Sequence, residues 1–99
     1  MNIDEVVKEV LKTKLDKAGY GEETKIIVDT QISETSNRTY PDNYITTIIV
    51  TFRDITINTW FYTTDVLLDK REYVYFDSLV SELSGRIQKH ALEEYLNKK

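Results

Sequence analysis

Residues 44–63 read YITTIIVTF-RD-ITINTWFYT. The stretch is dense in β-branched and aromatic residues and contains no Gly or Pro, the composition of paired strands. Folding it back at Arg53-Asp54 sets Phe52 opposite Ile55, Val50 opposite Ile57, Ile48 opposite Thr59, Thr46 opposite Phe61 and Tyr44 opposite Thr63. Side chains alternate along a strand, so these residues share one face, and it is mostly apolar. The other face carries Thr51 and Thr56, Ile49 and Asn58, Thr47 and Trp60, and Ile45 and Tyr62. The turn is chemically unusual. Two-residue hairpin loops favour Asn-Gly or Asp-Gly, and Arg53-Asp54 offers no glycine. A longer turn or a bulge there slips the register, and a one-residue slip exchanges the two faces.

A helix is expected on the N-terminal side, over residues 2–18. Ile3, Val6, Val7, Val10, Leu11, Leu15 and Ala18 recur at helical spacing and form one apolar stripe. Asn2 reads as its cap, with Glu5 three residues on as in a capping box. Asp4 and Glu5 complement the positive end of the helix dipole, and Lys12, Lys14 and Lys17 the negative end. Gly19 suits the left-handed residue that closes a helix. Residues 25–34 alternate, with Ile26, Val28, Thr30 and Ile32 on one side and Ile27, Asp29, Gln31 and Ser33 on the other, as in a half-buried strand. The polar run 35–43 holds the only proline, Pro41, and reads as a long hairpin loop.

Beyond the hairpin, residues 64–70 read either as a short helical turn behind Asp65 or as a brief strand, with Asp69-Lys70 as a turn. Glu72-Tyr73-Val74-Tyr75-Phe76 alternates and predicts a fourth strand. Residues 77–96 predict the second helix, capped by Asp77 or Ser78, with Leu79, Val80, Leu83, Ile87, Ala91 and Tyr95 as its stripe and Leu92 and Leu96 beside it. Ser78, Ser81, Ser84 and Gly85 give this helix a side of small residues, which permits packing on another backbone or a helix-mediated homodimer. The expectation is one α+β domain over residues 1–99. It has a three- or four-stranded antiparallel meander flanked by an N-terminal and a C-terminal helix, in the order α-β-β-β-(β)-α, with both helices on one face of the sheet.

Composition narrows the function classes. The chain has 99 residues, a net charge of −4 and no Cys. That rules out disulfides and thiolate ligands, and phosphate backbones attract basic surfaces rather than acidic ones. Residues 1–10, MNIDEVVKEV, carry acids where a signal peptide carries Lys or Arg, and no run approaches the ~20 apolar residues of a bilayer span. The expectation is a cytoplasmic protein that does not associate with membrane. Asn37-Arg38-Thr39 matches a glycosylation sequon and is read as coincidence. The one histidine, His90, lies near a helix end and has no HExxH or similar spacing around it. The serines lack a nucleophile-elbow context. No catalytic, metal or cofactor site is predicted.

The element order is shared with double-stranded-RNA-binding domains. Those domains place lysines at the start of the last helix, where this chain has Phe76-Asp77-Ser78-Leu79 and then Glu82. Tyr62, Tyr73 and Tyr75 suit base stacking no better than a cross-strand aromatic ladder. The favoured expectation is a non-enzymatic protein-binding module, of the inhibitor or adaptor kind that phages and mobile elements encode. Its partner is another protein, met through two patches: Trp60, Tyr62, Ile45, Thr47 and Ile49 on the sheet, and Arg38, Tyr40 and Tyr44 at the loop. Tyr, Trp and Arg are the residues that concentrate binding energy. The alternatives are a subunit of a symmetric homo-oligomer or virion assembly, and a nucleic-acid-binding domain.

Overall fold

The computed structural model describes residues 3–67 and 72–98, without the side chains of Leu67, Glu72 and Tyr73. Helix α1 (Ile3–Lys17) leads through a short 3-10 turn (Gly21–Glu23) into three strands, β1 (Thr24–Ile32), β2 (Tyr44–Phe52) and β3 (Ile55–Tyr62). A short helix α2 (Thr63–Leu67) and the long helix α3 (Glu72–Asn97) complete the chain. The strands form one antiparallel sheet in the order β1-β2-β3. The fold is therefore α+β, a three-stranded meander flanked by an N-terminal and a C-terminal helix. Among the described residues no helix is long and apolar enough to cross a membrane.

Gly19 follows α1 with φ 89°, the left-handed closure that glycine adopts without steric penalty. Asn2, read as the cap of α1, lies outside the described residues, as does the expected turn at Asp69-Lys70. The fourth strand expected over residues 72–76 is not formed: these residues are the first turn of α3, which starts five residues before the expected cap at Asp77. Residues 64–67 take the helical of their two readings, within α2.

The hairpin keeps the register expected from folding at Arg53-Asp54, with Phe52 opposite Ile55 and Ile45 opposite Tyr62. The turn closes without glycine because Arg53 itself adopts φ 52°. Its side chain compensates. The guanidinium makes two bonds to the Glu23 carboxylate, Nε to Oε2 at 2.5 Å and Nη2 to Oε1 at 3.1 Å, and clasps the hairpin turn to the 3-10 turn. The hydrogen bond from Arg53 holds Glu23 below its ordinary value of 4.5. A carboxylate depressed in the folded state stabilises above its unfolded pKa, and that contribution is lost as pH falls through the lowered one. Thermal midpoints of wild type and Glu23→Gln should therefore differ most above pH 4.5 and converge as pH falls through the lowered value; a difference that persists into strong acid would exclude the ion pair as its source.

The core lies between the sheet and the helices. Ile26, Ile48, Val50, Phe52, Ile57 and Phe61 from the strands meet Val7, Leu11 and Leu15 of α1, Val66 of α2, and Phe76, Leu79 and Leu83 of α3 in one buried cluster. Ile3 and Ala18, at the ends of the expected α1 stripe, are exposed. The expected stripe of α3 also stops short: Ile87 is half-buried, and every residue from Gln88 to Lys98 is exposed, including Ala91, Leu92, Tyr95 and Leu96. Helix α3 has 26 residues, about 39 Å at 1.5 Å per residue. Strands of eight or nine residues span only about 30 Å. The last turns of α3 overhang the sheet, and the molecule measures 56 × 26 × 19 Å.

Candidate functional site

The sheet face opposite the core is built from alternate residues of all three strands. The register sets them in rows: Lys25, Thr51 and Thr56 nearest the hairpin turn, then Ile27, Ile49 and Asn58, then Asp29, Thr47 and Trp60, and last Gln31, Ile45 and Tyr62. Large apolar side chains thus run diagonally, from Ile27 on β1 through Ile49 to Trp60 and Tyr62 on β3. Ile27 is 59% exposed and Trp60 56% exposed, while Ile45, Thr47, Ile49 and Tyr62 are half-buried. Trp60 and Tyr62 pack edge to face with ring centroids 5.4 Å apart, as same-face neighbours two residues apart can. Polar groups frame the band: Gln31 donates to Asp29 at 2.7 Å on one side, and Thr51 and Thr56 lie 3.4 Å apart on the other.

The 33–43 loop reaches onto one end of this face. Ser33 N–H donates to the Asn43 carbonyl at its base. The Ser36 hydroxyl accepts from the Arg38 backbone N–H and donates to the Tyr62 hydroxyl at 3.3 Å. The Arg38 guanidinium sits 3.7 Å above the Tyr62 ring and donates to Asp65 at 2.8 Å. Tyr62 is thereby held between Trp60 and a stacked cation, a geometry that favours a fixed ring orientation.

The two expected patches are therefore rearranged. Arg38 leaves the loop patch and joins Trp60, Tyr62, Ile45, Thr47 and Ile49 in one surface. Tyr40 and Tyr44 remain a pair of their own, packed edge to face at 5.8 Å. Tyr44 shares its strand face with Thr46 and Ile48, on the core side, and does not belong to the open face. Ile27 belongs to the surface and was not among the expected residues, although the alternation of Ile27, Asp29 and Gln31 marked that face of β1. Tyr75 is not on this surface. Its hydroxyl bridges Thr59 at 2.5 Å and the Trp60 carbonyl at 3.4 Å, and burial pushes its phenol above the ordinary range. The side chain of Tyr73 lies outside the described residues.

His90 is exposed on α3, 3.4 Å from Glu94. Among the described residues no three or more His, Cys, Asp or Glu side chains come together as a metal site. Comparison with protein-family models, with curated proteins and with solved structures found no match to this chain.

Proposed function

We propose that the chain is a small, cytoplasmic, non-enzymatic protein-binding module, of the inhibitor or adaptor kind encoded by phages and mobile elements. Its partner is another protein, which docks on the open sheet face and the Arg38 side of the loop. One observation carries the reading. A solvent-facing Trp60, more than half exposed, lies beside an Arg38–Tyr62 stack on a sheet face turned away from the core. Trp, Tyr and Arg dominate binding hot spots, and they act best at the centre of a patch whose polar rim excludes water. Here the centre is Ile49, Trp60 and Tyr62, and the rim is Lys25, Thr56, Asp29 and Gln31.

The test is affinity capture from the native host with wild type and Trp60→Ala in parallel, followed by titration of the retained protein. Trp60 is the only tryptophan, so its emission should shift to the blue when a partner buries it. Trp60→Ala should weaken binding by roughly 30-fold, the equivalent of a 2 kcal/mol hot spot. A partner that binds Trp60→Ala and Ile27→Asp as tightly as wild type, with no shift of emission, would remove this face from the reading.

A further inference from the structure

The outer side of α3 is a second broad solvent-facing surface. Residues of a helix advance by about 100° each. That places Val74, Ser78, Ser81, Gly85, Gln88, Leu92 and Tyr95 almost opposite the core residues Phe76, Leu79, Leu83 and Ile87. All seven are exposed, Val74 at 71%, Leu92 at 57% and Tyr95 at 59%. Their spacing alternates four and three over about three heptads, the spacing of a two-stranded coiled-coil seam, with Val74, Leu92 and Tyr95 as its large apolar members and the small or polar Ser78, Ser81, Gly85 and Gln88 between them. No charged residue interrupts it. Gly85 sharpens the point. A glycine within a helix costs about 1 kcal/mol relative to alanine, and a Cβ at Gly85 would meet nothing within 4 Å. The chain's own packing therefore does not require glycine there, whereas the close approach of another helix does.

We infer that this seam pairs with the same seam of a second copy, antiparallel, about a two-fold axis near Arg86 and Ile87. Charge and size both select that arrangement. Antiparallel coiled-coil register sets Ser78 opposite Tyr95, Ser81 opposite Leu92 and Gly85 opposite Gln88 of the second copy, so each small residue receives a larger one. On one flank Glu82 meets Lys89 of the second copy, twice by symmetry. On the other flank Asp77 comes alongside Lys98, the residue just past the end of α3, again twice. A parallel pair instead sets Asp77 against Glu82 and Gly85 against Gly85, which repels on the flank and leaves a gap in the seam. Glu82 and Asp77 already hold Arg86 and Lys14 within the chain, and their carboxylates remain exposed enough to accept a second cation. The dimer buries the overhanging end of α3 and leaves the Trp60 face clear, because that face lies on the far side of the sheet. Its test is therefore independent of the proposed function.

Sedimentation equilibrium from micromolar to millimolar concentration should show a species of twice the 11.6 kDa chain mass. Leu92→Glu should weaken association by at least about tenfold. Lys89→Glu and Glu82→Lys should each weaken it by about tenfold, since two attractive pairs become repulsive. The double variant Glu82→Lys/Lys89→Glu should restore it. All these positions are solvent-facing, and unchanged thermal midpoints in the dilute monomer would confirm that folding is intact. A monomer across the whole range overturns the inference. So does a dimer indifferent to Leu92→Glu, or a double variant that associates no better than the singles.

Discussion

Phe76→Ala should lower the stability of the fold by roughly 3–5 kcal/mol, the usual result of emptying a buried phenylalanine site. A chain of this size has roughly 5–15 kcal/mol in total, so much of the denaturant midpoint should disappear. Phe76 is fully buried and packs edge to face against Phe61 and Tyr75, at 6.1 and 5.8 Å. It joins α3 to β3 at the point where the helix begins to cross the sheet. The companion variant is Val74→Ala. Val74 is 71% exposed, and its truncation should change stability by no more than about 0.5 kcal/mol. The contrast is diagnostic. In a strand, residues two apart share a face, so Val74 and Phe76 would be equally costly or equally cheap to truncate. In a helix they lie about 200° apart, and only one faces the core. Equal effects in urea titrations would restore the strand reading of residues 72–76.

That segment shows where periodicity stopped being informative. Five residues of alternating character are compatible with one and a half turns of helix. Phe76 lies three and four residues before Leu79 and Val80, so the core stripe of α3 already extended back to it. The central hairpin was legible because nine-residue alternation on both sides of a short turn admits few other packings. Its turn was less so, since an arginine at positive φ is uncommon and is held here by Glu23, thirty positions away in sequence. The same distinction runs through the candidate surface. Trp60, Tyr62, Ile45, Thr47 and Ile49 follow from strand alternation alone. Arg38 stacking on Tyr62 depends on the loop folding back through Ser36 and Asp65, contacts between segments that no local pattern encodes. The overhang of α3 depends on helix and strand lengths together, so Tyr95 reads as core stripe, with Leu92 and Leu96 beside it, although the sheet ends before it reaches them.

Thr46→Val should destabilise by roughly 1–3 kcal/mol even though it places a more apolar residue in a fully buried site. Thr46 is the centre of a chain of hydroxyls. The Thr30 hydroxyl donates to the Asp4 carboxylate at 2.5 Å and lies 2.9 Å from the Thr46 hydroxyl, which lies 2.8 Å from that of Thr63. Each hydroxyl has a single proton, and a carboxylate only accepts. The direction is therefore set along the whole chain: Thr63 donates to Thr46, Thr46 to Thr30, and Thr30 to Asp4. Valine at position 46 leaves the buried Thr63 hydroxyl with its proton unaccepted and deprives Thr30 of a donor. Replacing both ends of a buried hydrogen bond is much cheaper than replacing one. Thr46→Val/Thr63→Val should therefore cost less than the sum of the two single variants, with a coupling of about 1 kcal/mol in a double-mutant cycle. Strict additivity would mean that the hydroxyls contribute independently. The network joins the first turn of α1, strands β1 and β2, and the start of α2, directly beyond Tyr62. It fixes the end of the sheet on which Arg38 and Asp65 close. If that rigidity prepares the open face for its partner, Thr46→Val should also raise the mobility of the Arg38–Tyr62 stack, seen as faster exchange of the backbone amides of residues 36–38.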